Sequence, residues 1–421
     1  MKKATVIITT IILIISVALV SLSVRQKKVV NQNEEAIPNE PENSFISEQE
    51  EPKYSDETFI IQYKEGIDDE TRIALNELYG VEEVDAIGED GENIKVLKVK
   101  EGYTVEGVLE KYMADPNIEY AEPDYLCEFY YVPNDPYYKN MTSIFNMFGL
   151  QQAWDTTKGE NVVVAVVDSG VIGNHPDLAS NLLPGYSAVS SLSPNTDSSG
   201  HGTCVAGIIG GIGNNGIGGI GVSFKSKVIP VKVDDANGTM GIANVAKGIR
   251  WAADNGAQVI NLSIGSYSDS TTLRNEINYA YNKGCVLVAA SGNEGKNNHV
   301  SFPARYSNVI GVGASNDGTT RAAFSDYGPE LDVVAMNGYW TTTSSGGYQA
   351  FAATSCATPQ VAGLAALLLA VDPTLTPDQV KNYIQNGAKG NGTRINDEVG
   401  YGFINMRKVN TIIISRYRRR G

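Results

Sequence analysis

Asp168 closes the apolar run that begins at Val162, His201 lies between Gly200 and Gly202, and Ser355 stands at the head of an apolar stretch. Each has an ordinary structural reading by itself: a loop hydrogen-bonder for Asp168, a satisfied imidazole for His201, a helix N-cap for Ser355. Taken with Ser291-Gly292-Asn293-Glu294, which follows a further apolar run, they make a set with one chemistry. The set supplies a nucleophile, a base, an acid to orient that base, and an amide donor for an oxyanion. The order Asp, His, Ser is one of three in which such a triad occurs. The only other histidines are His175 and His299, which excludes an HExxH centre or a multi-His metal site.

These residues need elements to bring them together. From Val162 the chain reads as repeated βα units, with strands expected over 162–167, 227–233, 258–264, 285–291 and 309–314. Helices are expected over 241–255 and 272–283, and another after Ser355. Continuous apolar strands alternating with helices imply an α/β fold, a parallel sheet covered on both faces in three layers. Sites in such sheets gather at the carboxyl ends of the strands. Before this comes a small α+β unit: strands over 58–63, 94–99 and 118–123, and helices over 69–78 and 104–113.

The net charge of -15 argues against a nucleic-acid partner met through a basic face, yet the acidity is confined to one segment. Residues 31–130 carry 28 acids and 7 bases, whereas 131–421 carry 20 acids and 21 bases. The segment 1–28, with Lys2 and Lys3 before an apolar run of bilayer length, is an export signal or a membrane anchor, the latter giving a membrane partner if it stays uncleaved. Residues 29–56 read as a flexible acidic tether. Cys127, Cys204, Cys285 and Cys356 form neither a disulfide framework nor a zinc pattern.

The motifs named above, with His175-Pro176-Asp177-Leu178, Ile260-Asn261-Leu262-Ser263 and Thr354-Ser355-Cys356-Ala357-Thr358-Pro359-Gln360-Val361-Ala362-Gly363, resemble the subtilisin-like serine proteases, in a thermitase-like pattern over 58–404. The resemblance implies an exported, monomeric endopeptidase acting on protein or peptide substrates, outside the cell or on its surface. By it Ser355 attacks the scissile carbonyl, His201 shuttles the proton, Asp168 orients the imidazole, and Asn293 with the Ser355 N–H holds the oxyanion. Ser263, Ile264 and Gly265, with Ala290, Ser291 and Gly292, would line the substrate cleft. Phe59-Ile60-Ile61-Gln62-Tyr63-Lys64-Glu65-Gly66 and Ile118-Glu119-Tyr120-Ala121-Glu122-Pro123-Asp124 resemble the family's ferredoxin-like inhibitory propeptide, which makes it a partner of the enzyme. It would occupy 57–130, the catalytic domain 131–412 and a basic tail 413–421. Self-cleavage would fall between Tyr130 and Tyr131, with Tyr130 in the S1 pocket and Cys127 in S4.

Gly211-Ile212-Gly213-Asn214-Asn215-Gly216 formally matches a dinucleotide fingerprint, but a helix precedes it where a strand is required. It is either a Gly-rich turn or, by the resemblance, a Ca2+ loop. The ligands would be Asp135, Asp177, the Asn215 side chain and carbonyls near Ile212, Ile217 and Gly219. Four positions depart from the family: Ala353 where glycine is usual, Cys356 for Met, Cys204 for His and Gln360 for His. The cysteines are small buried hydrophobes or, alternatively, thiols whose oxidation would crowd Ser355.

Overall fold

The computed structural model describes residues 54–88, 93–126 and 131–406, which form two compact units. The N-terminal segment, Cys127, Tyr130 and the tail at 413–421 lie outside them.

The smaller unit runs β1 (Tyr54–Tyr63), α1 (Asp69–Tyr79), β2 (Val81–Ile87), β3 (Ile94–Val99), α2 (Val105–Ala114) and β4 (Ile118–Tyr125). The strands pair antiparallel in the order β2-β3-β1-β4, the expected ferredoxin-like arrangement. Alternation along β1 turns Phe59, Ile61 and Tyr63 into a core shared with Leu75, Leu97, Val108 and Tyr112. Asn76 is buried there because the Tyr63 and Tyr112 hydroxyls both donate to its Oδ1, at 2.8 and 2.6 Å. Asp68 and Thr104 cap the two helices through N–H groups three residues on. Two features differ from expectation. β2 lacks a readable alternation because six of its seven residues are exposed. β1 starts at Tyr54, inside the stretch read as a tether, where Tyr54 pairs with Tyr125 and their rings meet edge to face.

The larger unit carries α3 (Thr142–Phe148), α4 (Leu150–Thr156), β5 (Val163–Asp168), β6 (Tyr186–Ser187), α5 (His201–Gly210), β7 (Lys227–Lys232), α6 (Ile242–Asp254) and β8 (Val259–Leu262). It continues with α7 (Thr271–Asn282), β9 (Val286–Ala290), β10 (Ile310–Ser315), β11 (Val333–Met336), the hairpin β12 (Tyr339–Thr342) and β13 (Tyr348–Phe351), α8 (Thr354–Val371) and α9 (Pro377–Gly387). Seven strands form one parallel sheet in the order β11-β10-β9-β8-β5-β7-β6. The strand order reverses at β5, between β8 and β7, and a parallel sheet opens a crevice at the carboxyl end of such a point. α8 is buried on nearly all sides, which its unbroken run of Ala, Leu and Val permits, and it packs beside α5 and under β8, β9 and β10. The expected strands and helices are present with ends shifted by one or two residues. β6, β11, the hairpin and helices α3, α4 and α9 were not anticipated.

Candidate active site

Asp168 is the last residue of β5, at the reversal point, and is fully buried. Its Oδ1 and Oδ2 lie 2.8 and 3.0 Å from Nδ1 of His201, the first residue of α5. The helix approaches this closely because residue 202 is glycine: a Cβ there would stand 2.1 Å from the Gly170 carbonyl oxygen. Asp168 Oδ1 also accepts the Ser169 N–H at 2.7 Å, and the Ser169 hydroxyl, 3.1 Å away, is shared between it and Asp197 Oδ1 at 2.8 Å. Burial disfavours a charged His201 imidazole, but the charge and hydrogen bond of Asp168, aided by the charge of Asp197, outweigh it and hold the pKa above the ordinary value. The Asp168–His201 pair therefore has the geometry and the charge of the acid–base half of a catalytic triad.

Ser355 is the second residue of α8 and is 8% exposed. Its hydroxyl donates to the Ser263 carbonyl at 3.0 Å, and the Ser263 hydroxyl donates back to the Ser355 carbonyl at 3.1 Å. That carbonyl is free because its helical partner four residues on is Pro359, which has no N–H. Asn293 Oδ1 accepts the Thr354 N–H at 3.0 Å and the Thr354 hydroxyl at 2.9 Å. An atom that accepts from a backbone N–H must be the oxygen, so the amide orientation follows and Nδ2 remains the donor face. Ala353, just before, has φ 110° and ψ 174°, a conformation that glycine adopts freely and alanine only under strain.

A cleft of about 220 Å³ opens beside Ser355. Ser263, Ile264, Gly265, Ala290, Gly292 and Asn293 line it, together with Tyr267, Glu294, Ser301 and Thr354, which the sequence did not assign to the cleft. Ser291, between Ala290 and Gly292, has a buried side chain, with Oγ 3.4 Å from that of Ser325.

Asp197 is a further buried acid beside His201. It is 4% exposed and accepts five hydrogen bonds: from the Ser169 and Ser199 hydroxyls and the Gly200 N–H at Oδ1, and from the Thr203 N–H and hydroxyl at Oδ2. It thereby satisfies free N–H groups at the start of α5, and its position four residues before His201 is the signal that could have found it. Lys232, paired with buried Asp234 at 2.6 Å, donates to the Ser169 carbonyl at 2.7 Å and fixes the same turn from below. Phe351 stands edge-on to the His201 ring at 5.5 Å. Cys204 and Cys356 are buried, and burial pushes their thiols up to about 11 and about 12, which favours the small-hydrophobe reading over a reactive thiolate.

The candidate metal ligands also meet. Asp135 and Asp177 are 2% and 1% exposed. Burial raises the pKa of both, that of Asp177 to about 7 with the nearby Asp135 charge contributing. Asp135 accepts the N–H groups of Asn214 and Asn215 at 2.7 and 3.2 Å. Ile212 donates its N–H to the Asp177 carbonyl at 2.9 Å, and Ile217 donates to Asn215 Oδ1 at 3.1 Å. Gly219 donates its N–H to the Asp177 side chain. Asn215 itself turns Nδ2, not its oxygen, toward Asp177, at 2.6 Å. Two buried acids short of positive charge fit a hard divalent cation, although among the described residues no group of three or more acidic, His or Cys side chains converges.

Comparison with known proteins agrees with this geometry. Residues 159–402 match the model of the subtilase family, and 40–124 match that of the fervidolysin N-terminal prodomain. The thermophilic serine proteinase of Bacillus sp. (strain AK1) is 40% identical over 311 residues, 73% of this chain and 77% of that one. Thermitase of Thermoactinomyces vulgaris is 41% identical over 239 residues, 56% of this chain and 85% of that one. Fervidolysin from Fervidobacterium pennivorans, a keratinolytic enzyme related to subtilisin, superposes with a TM-score of 0.60 at 27% identity, over 85% of this chain and 61% of that one. A protease from Pseudoalteromonas arctica gives 0.60 at 30% identity, over 67% of this chain and all of that one. With the subtilase match spanning more than half its length, the chain belongs to the subtilase family and is a subtilisin-family serine endopeptidase that carries its own prodomain.

Proposed function

We propose that the enzyme cleaves peptide bonds through an acyl-enzyme on Ser355. The observation that carries this reading is the Asp168–His201 pair, at 2.8 Å with Asp168 fully buried, at the same carboxyl end of the sheet as Ser355 and the oriented Asn293 amide. An extended peptide adding along Ser263–Gly265 needs the Ser263 carbonyl as acceptor. Its N–H replaces the Ser355 hydroxyl there and leaves that hydroxyl to turn to His201. His201 takes the proton as Oγ attacks and returns it to the leaving amine, while Asp168 holds the tautomer and stabilises the imidazolium. Asn293 Nδ2 and the Ser355 N–H receive the oxyanion.

The chain is made as an exported zymogen. The prodomain at 57–130 is released from the catalytic part at 131–412 by cleavage after Tyr130, so that the mature enzyme begins at Tyr131, and the tail at 413–421 follows. Segment 1–28 directs export and leaves the enzyme outside the cell or on its surface. Asp135 and Asp177, with Asn215 and the carbonyls of Ile212, Ile217 and Gly219, would hold a structural Ca2+. When bound, the ion neutralises the two acids and ties the start of the mature chain to the loop after α5.

The strained Ala353 favours a second reading, a catalytically impaired protein that binds peptides or a partner. One experiment separates the two. The full chain and its Ser355→Ala variant are expressed, tested on casein and sequenced from the N-terminus. Processing near Tyr131 and casein hydrolysis by the wild type alone support the protease; two full-length, inactive proteins support the impaired reading.

A further inference from the structure

The cleft is lined by Ser263, Ile264 and Gly265, by Ala290 and Gly292, and by Tyr267, whose side chain is the largest on it. Discrimination between substrate side chains by size falls to that ring if it is held still. Tyr267, between β8 and α7, lines the cleft with a ring fixed at three places. Its hydroxyl donates to Oδ2 of Asp326, a fully buried acid, at 2.7 Å. Its face stacks on the imidazole of His299, with centroids 4.1 Å apart and planes 29° apart. Its hydroxyl end also abuts Gly292. A Cβ added to that glycine would stand 2.7 Å from the phenol oxygen and 2.3 Å from Asp326 Oδ2.

Asp326 is itself immobile. Its Oδ1 accepts the Lys296 N–H at 2.8 Å, and its own N–H donates to the Gly292 carbonyl at 3.0 Å. The other side chains at this end are engaged elsewhere: Ser301 donates to the Ala290 carbonyl at 2.8 Å, and Glu294 pairs with Lys296 at the surface. Tyr267 is 45% exposed, a degree at which a tyrosine ordinarily swings freely, and here it is bolted in place.

We infer that Tyr267 is a specificity-determining residue: a fixed end wall that sets the length of the cleft receiving the side chain before the cut bond (P1), admitting a single aromatic ring and excluding the two-ring indole. The inference rests on the proteolytic reading above. A wall that cannot yield makes each additional ring atom unfavourable, and apolar pockets of this kind separate neighbouring sizes by about 10- to 100-fold.

The test is kcat/KM for peptide pairs identical except for Phe or Trp at P1, on enzyme made from the full chain, as wild type and as Tyr267→Ala and Tyr267→Leu, with Tm measured alongside. Wild type should prefer Phe by about 10- to 100-fold, and Tyr267→Ala should bring the ratio to within about threefold by accelerating the Trp peptide. If Tyr267→Ala does not fold, Tyr267→Leu decides by the same change in ratio. A folded variant with an unchanged ratio, a wild type without the Phe preference, or an equal loss on both peptides overturns this proposal alone. A wild type that cuts neither peptide overturns the proteolytic reading and this proposal with it.

Discussion

Asp168 and Asp197 are buried acids beside His201, and Asp135 and Asp177 are equally buried against the loop after α5. The first two are surrounded by donors. Asp197 accepts five hydrogen bonds, and Asp168 accepts from Ser169 and faces an imidazole that its own charge helps to protonate. Among the described residues, the second two have a few amide donors and no cationic side chain, and burial raises their pKa values. A buried carboxylate must be compensated by donors or by positive charge. The chain provides that compensation internally where chemistry needs a preorganised field; at the second pair it is the proposed cation that would supply it.

Breaking the first pair should have the larger effect. Asp168→Asn removes the charge that fixes the His201 tautomer, and kcat on casein-derived peptides should fall by about 10⁴-fold. A loss below tenfold would mean that this acid is only a loop hydrogen-bonder. Next comes the second pair. Chelation with EDTA should lower Tm by about 5–10 °C, the shift expected for an ion present near a hundred times its Kd. Asp177→Asn should show a lowered Tm without chelator and little further response to it. Equal Tm values with and without EDTA in the wild type would remove the cation from the account.

A smaller effect sharpens the role of Asp197. Its charge helps to raise the His201 pKa, and activity requires the neutral imidazole, so kcat/KM is lost as pH falls through that pKa. Asp197→Asn lowers the pKa and should move the acid limb of the profile to lower pH, with about a tenfold loss at the plateau. An unmoved limb would reduce Asp197 to a helix-end brace. The smallest effect lies outside both pairs. Ala353→Gly relieves a positive φ and should stabilise the enzyme by about 1 kcal/mol, about 2–4 °C in Tm, with activity equal or higher. A drop in both would show that alanine is accommodated there without strain.

Asp168, His201 and Ser355 were legible in the sequence because each carries a local signal: a strand end, flanking glycines, the head of an apolar helix. The parallel sheet was legible for the same reason, its strands being continuous apolar runs. β2 was not, since its exposed residues leave no period to read, nor were β12 and β13, four-residue strands that gain their partner only in the hairpin. Tyr267, His299 and Asp326 meet through tertiary structure alone, about thirty residues separating each from the next in sequence. Ser169 and Asp197 are small polar loop residues whose importance comes from what they touch.

The most direct test of the central claim is covalent labelling of the purified enzyme with a fluorophosphonate. The reagent loses fluoride to an activated serine oxygen and leaves a stable phosphonyl ester that mass spectrometry can locate. One adduct on Ser355, formed together with loss of casein hydrolysis and slowed by orders of magnitude in Asp168→Asn, is the predicted result. Casein hydrolysis that survives the reagent, or an adduct on another residue with Ser355 unmodified, would contradict it.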